Sequence, residues 1–434
     1  MKNLTGVKAA RNGWTWIPTL YFAEGLPYVL VMTVSVIMYK KMGISNTDIS
    51  IFTSLLYLPW VIKPLWSPFI DIFKTKRSWI TSMQFLISIG LIGVALTLTL
   101  PNFFIASIVI FALLAFLSAT HDIAADGFYM LGLTTHDQSI FVGIRSLFYR
   151  ISMIAGQGAL VIIAGFLEGH FKTDSGDSGI KYAWMITLLV PALFFMLIYF
   201  YHKLILPLPE TDKPATEKIK QNISAEFFKA FREFFKKKDI GFIIAFLLLY
   251  RLGESQLVKL ASPFLLDAKI KGGLALLTQD VGFVYGTVGI FALVAGGLLG
   301  GFAIARNGLK YWLWWMMIAI NVPDLVYVYM AYTQPDSIFI ITACVAIEQL
   351  GYGFGFTAYL MYMIYICEGE YKTSHYAIAT GFMALGMMIP GMISGAIQDA
   401  IGYKMFFIWV CVSTALPFIS AKFLKIDPAF GKKV

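Results

Sequence analysis

The chain has 434 residues, 58% of them hydrophobic and only 14% charged, with a mean hydropathy of +0.73. A soluble domain of ordinary composition is about a quarter charged, so this balance excludes a soluble globular protein and places the chain in a membrane. The formal net charge of +9 would suggest a nucleic-acid partner in a soluble chain, but here the excess falls on loops that topology alone requires to be basic, and nucleic acid is excluded as a partner.

A spanning helix takes about 20 apolar residues. Windows of that length recur between breaks at Lys40/Lys41, Lys74 to Arg77, Pro101, His136/Asp137, Lys172 to Lys181, and Lys203 to Lys238. In the second half they break at Lys269 to Gly273, Arg306 to Lys310, Pro335/Asp336, Glu368 to Lys372, and Gly402 to Lys404. The pattern predicts an all-α polytopic membrane protein with 12 transmembrane helices.

Lys2, Lys8 and Arg11 ahead of the first apolar run imitate a signal peptide, but the run continues for about 25 residues without a small-residue cleavage site. It is read as the first span. With the N-terminus inside, 22 of the 34 Lys and Arg fall on inner loops and 7 on outer ones, which predicts that both termini are cytoplasmic.

A charged group at mid-bilayer costs about 2.5 to 3.5 kcal/mol on insertion scales, so it is rare unless it faces a cavity or a partner. The first span carries Glu24, with Tyr28 one turn on. The second carries Trp60, Lys63 and Trp66; Lys63 can bind an anionic substrate or extend to the inner face, and its nearness to Asp71 favours the latter.

The fourth span carries His121, Asp122 and Asp126, and the spacing of four stacks the two aspartates on one helix face. Like charges held close in a medium of low dielectric repel, and binding a proton relieves that repulsion. Asp122 and Asp126 are therefore candidate proton carriers, the alternative being acids that lock this helix to Arg145 or Arg150 on the fifth span. His121 and Asp126 also spell the His-x-x-x-x-Asp pattern of some acyltransferases, a membrane-embedded enzyme being a minor alternative.

After the sixth span, Leu206 to Asp239 turns polar, which divides the chain into residues 1–206, a cytoplasmic linker at 207–238, and 239–434. In the linker, Ile223, Phe227, Phe228, Phe231, Phe234 and Phe235 recur at helical spacing against Lys229, Arg232, Glu233 and Lys236. They predict an amphipathic helix at the headgroups or an extension of the seventh span.

The seventh span carries Arg251, Glu254, Gln256 and Lys259, where Arg251 and Glu254 can neutralise one another. On the eighth, Gly296, Gly297, Gly300 and Gly301 form small-xxx-small pairs, read as helix packing. The tenth carries Glu348, Gln349, Tyr352, Gly353 and Gly355; those glycines permit a gating bend or close packing, and no strand precedes them to make a dinucleotide loop. Cys344, Cys367 and Cys411 have no metal-ligand spacing, so no metal, cofactor or disulfide framework is indicated.

Two repeats bind these pieces together. Glu254 follows Glu24 by 230 residues and Glu348 follows Asp122 by 226. Gly301, Ala305, Arg306, Gly308 and Lys310 look like the loop signature of the major facilitator superfamily. The matching loop 234 residues earlier has Ser67, Asp71, Lys74, Lys76 and Arg77. Two six-helix bundles with a site between them is the arrangement that parallel repeats give in secondary transporters.

Several segments together resemble the AmpG-type muropeptide permeases of that superfamily, nearly along the whole chain. They are Glu24-Gly25-Leu26-Pro27-Tyr28, Leu65-Trp66-Ser67-Pro68, Ser118-Ala119-Thr120-His121-Asp122-Ile123 and Tyr149-Arg150. In the second half they are Leu249-Tyr250-Arg251-Leu252-Gly253-Glu254, Pro263-Phe264-Leu265-Leu266, Gly296 to Gly301, and Glu348 with Gly353-Phe354-Gly355. The resemblance implies proton-driven import of anhydro-muropeptides across the bacterial inner membrane by a multi-pass symporter, with coupling at Asp122 and Asp126. Where that family usually has an Asn-Lys pair this chain has Tyr285-Gly286, and Met387 stands for an expected Arg. Those losses of cationic groups leave room for a neutral sugar or a smaller amino-sugar fragment, and transport of another sugar or an acyl-CoA-type substrate is a further alternative.

The expectation is a monomeric carrier in the lipid bilayer that binds protons and a small cell-wall saccharide or muropeptide. Its predicted proton-coupling residues are Asp122, Asp126, Glu24, Glu254 and Glu348. Its predicted substrate-binding residues are Tyr28, Trp60, Arg150, Arg251, Gln256, Lys259 and Tyr352, and gating is assigned to Asp71, Arg77, Arg306, Gly353 and Gly355.

Overall fold

A computed structural model describes residues 13–133, 135–175, 177–210, 212–213, 228–367 and 372–432. Eleven helical stretches are long and apolar enough to cross a membrane. They are α1 (Gly13–Lys41), α2 (Asn46–Ser67), α3 (Lys76–Thr97), α4 (Phe103–Gly132), α5 (Gly143–Phe171) and α6 (Gly179–Ile205), then α7 (Ile240–Leu266), α8 (Thr278–Asn307), α9 (Leu309–Thr333), α10 (Ile338–Ile366) and α11 (Ser374–Ala421). No strand occurs among the described residues. α11 is 48 residues long, about 70 Å at 1.5 Å per residue, and it is broken at Gly402, where φ is 73°. It is long enough for two crossings, and the expected division at Gly402 to Lys404 falls on that break.

Lipid rather than water explains the outer surface. Phe302, Phe339, Leu193 and Phe291 are all more than 60% exposed, which a water-soluble protein would not tolerate over so many faces. The interior is packed through small residues. A Cβ at Gly296 of α8 would lie 2.1 Å from the Leu350 carbonyl oxygen of α10, and one at Gly353 of α10 would lie 2.0 Å from the Leu293 carbonyl oxygen of α8. At Gly355 it would meet the Met316 carbonyl oxygen of α9 at 2.4 Å. These glycines hold three helices of the second half together, and α10 runs unbroken through them. In this structure α10 shows close packing and no bend at Gly353 and Gly355, the second of the two readings their spacing allowed. Gly296→Ala is expected to lower the melting temperature by several degrees through overpacking, about 1 to 3 kcal/mol. Gly301→Ala, where nothing lies within 4 Å of the new methyl group, should leave it unchanged.

α1 to α6 pack mainly on one another, as do α7 to α11, and the two groups meet where α2 crosses α11 and α5 crosses α8. The α5–α8 crossing is very close: a Cβ on Gly286 would lie 2.0 Å from the Gln157 carbonyl oxygen. A lysine in place of Gly286, as in the permeases the sequence resembles, would not fit there without separating the helices. The described part of the linker is helical at 228–235. There Phe234 is fully buried and stacks on Phe382 of α11 at 6.2 Å. Its apolar face is thus seated on the second half, while Ile223 and Phe227 lie outside the described residues.

Arg77 holds the loop after α2 against the end of α6. Its guanidinium donates to the Lys203 and Leu206 carbonyls, groups that a helix terminus leaves unsatisfied. The Lys76 and Arg77 backbone N–H groups donate to the Asp212 carboxylate at 2.7 and 3.0 Å. The Asp71 side chain lies outside the described residues, and Arg306 is exposed at the end of α8.

Candidate functional site

Between the two groups of helices lies a cavity of about 650 Å³. Its deep end is formed by Glu24, Tyr28, Tyr57, Trp60 and Arg251, and its walls run on to Ser67, Lys76, Met130, Leu131 and Tyr376. Those last residues sit at helix ends next to the loops after α2, α4 and α10. The cavity therefore opens to the side that carries the basic loops.

The opposite side is shut by polar contacts between the halves. Lys40 at the end of α1 pairs with Asp267 at 2.7 Å, and the Tyr403 hydroxyl donates to the same carboxylate at 2.7 Å. The Asn46 amide donates to the Gln398 side-chain oxygen at 2.5 Å and to the Tyr403 hydroxyl at 2.9 Å. Thr47 donates its hydroxyl proton to Asp399 at 2.6 Å. One layer deeper, the Lys259 ammonium donates to Thr53 Oγ1 at 2.9 Å and lies over the Tyr57 ring. Lys259 belongs to this closed layer and is not among the residues that line the cavity.

Three carboxylates face the cavity together. Glu24, Asp122 and Asp126 each offer an oxygen, and these lie within 4.8 Å of one another. Lys63 of α2 reaches across to Asp122 and forms an ion pair with it. The extension of Lys63 to the inner face expected from Asp71 is thus corrected: the cavity supplies a carboxylate that compensates its charge better than the headgroups would. Asp126 pairs with Arg145 of α5 at 2.8 Å, accepts from the Tyr21 hydroxyl at 3.2 Å, and so ties α4 to α5. Arg145 in turn stacks over Tyr21 and Tyr129. Glu24 has one carboxylate oxygen buried without a hydrogen-bond partner among the described residues. The triad is therefore two acids with cationic partners and one, Glu24, whose described side-chain partner is the Asp122 carboxyl, a composition able to accept and release protons.

His121 stands apart from this chemistry. It is 1% exposed, its Nε2 lies 3.0 Å from the Gln84 amide, and it faces away from the cavity into a buried chain that continues from Gln84 to His202 and Thr19. A base so enclosed cannot reach an acyl donor, which removes the geometric ground for the acyltransferase pattern.

The seventh span breaks where its motif sits. Helix geometry stops at Leu249 and resumes at Leu252, with Arg251 at φ −106°, ψ 25°, the kind of discontinuity at which transporters build sites. The break turns Arg251 towards the cavity. Its guanidinium donates to the Tyr352 hydroxyl and lies over the Tyr352 and Phe356 rings, and it has no carboxylate partner among the described residues. The pairing of Arg251 with Glu254 expected from their spacing is therefore replaced by an arginine that presents its charge to the cavity. Tyr28 and Trp60 meet edge to face at 5.1 Å on the cavity wall, a surface suited to the faces of sugar rings.

Gln256 and Arg150 are not among the residues that line the cavity. Gln256 accepts from Trp409 at 2.8 Å and donates to Leu252 and Ser413 inside the second half. Arg150 is half-buried, with its guanidinium beside the Met153 sulfur at 3.9 Å. Glu254 and Glu348 also lie outside the cavity, in a separate cluster with Asp324. Lining residues absent from the expected set include Tyr57, Lys63 and Tyr149, together with Met387 at the position of the missing arginine. Lys63→Met is expected to lower the melting temperature by leaving Asp122 without its counter-charge, and Asp122→Asn in the same chain to restore part of the loss. A thermal-unfolding cycle over the four variants checks it; additive losses would show that the pair contributes nothing.

Comparison with known proteins sets this geometry in a family. The model of the Major Facilitator Superfamily matches residues 19–389. The Anhydromuropeptide permease of Escherichia coli K12 is 26% identical over 92% of this chain and 76% of its own length. A Rickettsia conorii protein named AmpG 4 is 25% identical over 92% of both chains. Among solved structures, a D-xylose-proton symporter superposes with a TM-score of 0.70 over 97% of this chain and 99% of its own, at 11% identity. A bacterial homologue of the lysosomal transporter Spinster gives 0.69 over 96% and 98%, at 14% identity; both likenesses concern the fold.

Proposed function

The chain belongs to the Major Facilitator Superfamily, a membrane transporter and not an enzyme, and on that premise we propose that it is a proton-coupled symporter for anhydro-muropeptides. It works by alternating access as a monomer in the bacterial inner membrane, with both termini cytoplasmic. The basic loops then face the cytoplasm, and the structure is the inward-open state of the cycle, with Lys40, Asn46 and Thr47 closing the outer side.

One observation carries the reading. One cavity holds an acid with no cationic partner beside two ion-paired acids, and with them an arginine that has no carboxylate partner, among the described residues. Protons arriving from outside neutralise Glu24, Asp122 and Asp126, while the peptide carboxylate of the substrate meets Arg251 and its sugar rings lie on Tyr28 and Trp60. The relatives' names support the substrate class, and Arg251 supplies the cationic group whose absence at Gly286 and Met387 would otherwise argue for a neutral sugar.

The test is uptake into proteoliposomes with an imposed inward proton gradient, comparing an anhydro-muropeptide, a free disaccharide and acetyl-CoA. Accumulation of the anhydro-muropeptide, abolished when the gradient is collapsed, is the expected result. Preference for the disaccharide or acetyl-CoA would overturn the substrate assignment, and no gradient-dependent uptake of any would overturn the coupling.

A further inference from the structure

A second group of acids is built differently from the first. Glu254 of α7, Asp324 of α9 and Glu348 of α10 each offer an oxygen, and these oxygens lie within 4.8 Å of one another. All three side chains are sealed, at 1%, 1% and 2% exposure. In the cavity triad Lys63 and Arg145 stand against Asp122 and Asp126; here no lysine, arginine or histidine pairs with any of the three acids among the described residues. Arg251, only three residues before Glu254, is turned to Tyr352 and the cavity. Both oxygens of Glu254 and both of Asp324 lack a hydrogen-bond partner among the described residues. Only Glu348 is served, accepting from the Gln349 amide at 2.9 and 3.2 Å.

An independent group points to the same place. Tyr327, one turn after Asp324 on α9, is fully buried. Its hydroxyl has no partner among the described residues and lies within electrostatic range of all three carboxylates. A buried hydroxyl and two buried carboxylates without partners, gathered on three helices, are costly to keep unless something binds between them.

We propose that Glu254, Asp324, Glu348 and the Tyr327 hydroxyl form a binding site for one sodium ion, separate from the substrate cavity. The donors are oxygens only, which selects a hard cation over a soft one. Such a cation takes oxygens at about 2.3 to 2.6 Å, and oxygens up to 4.8 Å apart can sit on opposite sides of that shell. Three carboxylates held this close repel one another, so only part of the group is ionised at once; a monovalent ion balances the single charge such a site can carry, whereas a divalent ion needs a second ionised acid in the same sealed space. The ion would join α7, α9 and α10, and so add a cation-dependent brace to the half of the molecule that carries Arg251.

The experiment uses the purified full chain in detergent at constant ionic strength, with choline chloride replaced by sodium, potassium or calcium chloride. Sodium alone is expected to raise the melting temperature in a saturable way, with radioactive sodium bound at one ion per chain. Asp324→Asn should abolish both responses, and Tyr327→Phe, which keeps every charge, should weaken sodium's half-saturation by about tenfold or more. The proposal is overturned if sodium does no more than choline, if potassium or calcium acts equally well, or if the sodium response survives Tyr327→Phe unchanged. Where Asp324→Asn fails to fold, the tyrosine variant decides alone. No substrate is present, so failure here leaves the transport reading standing.

Discussion

Asp122→Asn is expected to abolish concentrative uptake while substrate exchange across the membrane continues. Asparagine keeps the shape of the side chain and can still face Lys63, but it cannot bind and release a proton. A proton that enters with a singly charged anion moves no net charge, so the pH difference drives uptake, and one pH unit contributes about 1.4 kcal/mol, roughly tenfold accumulation. Losing the proton therefore costs the whole concentration ratio, which falls to about one. Counterflow, which runs on preloaded substrate and needs no gradient, separates this outcome from misfolding. Asp122→Glu, which retains a titratable group on the same helix face, should keep part of the accumulation. Normal accumulation by the asparagine variant would move coupling to Glu24, whose carboxylate has a buried oxygen without a partner among the described residues.

Gly286→Val is expected to stop transport by a different route. The new side chain starts 2.0 Å from the Gln157 carbonyl oxygen and 2.3 Å from its carbon, atoms of backbone that cannot rotate away. α5 and α8 must separate, and their separation opens the outer side. Against this stand the bonds of Lys40, Asn46, Thr47 and Tyr403 across the same face. Each contributes about 0.5 to 1.5 kcal/mol net, so together they amount to a few kcal/mol, less than two backbones held inside van der Waals contact would cost. Spin labels at Asp48 and Ala400, exposed beside the Thr47–Asp399 contact and not part of it, should report a distance several ångström longer in the variant. An unchanged distance with intact uptake would show that the α5–α8 contact is not part of the closed gate.

Much of this architecture is legible in the chain. The span breaks needed only runs of apolar residues, and the acids Glu24 and Asp122 came from a repeat that pairs them with Glu254 and Glu348. What the repeat could not convey is which members share a space. Helix periodicity places Asp122 and Asp126 on one face, but only packing against α2 and α5 shows that one meets Lys63 and the other Arg145. Lys63 misleads because Asp71 is near in sequence, whereas its partner lies 59 residues away. Asp324 is invisible to the repeat because the residue 230 places earlier is Val94, so no second acid marks its position. Arg251 looks like the partner of Glu254 on any regular helix; the break at Tyr250 and Arg251 rotates it away, and no local propensity rule announces that break.

The central claim is that protons and substrate travel together through the cavity of Glu24, Asp122, Asp126 and Arg251. It is tested most directly by reconstituting the full chain in liposomes that hold a pH-sensitive dye and adding an anhydro-muropeptide outside with no gradient imposed. The account expects the lumen to acidify in step with substrate entry, and the same addition to leave the pH of Asp122→Asn liposomes unchanged. Entry of the substrate with no movement of protons would contradict it.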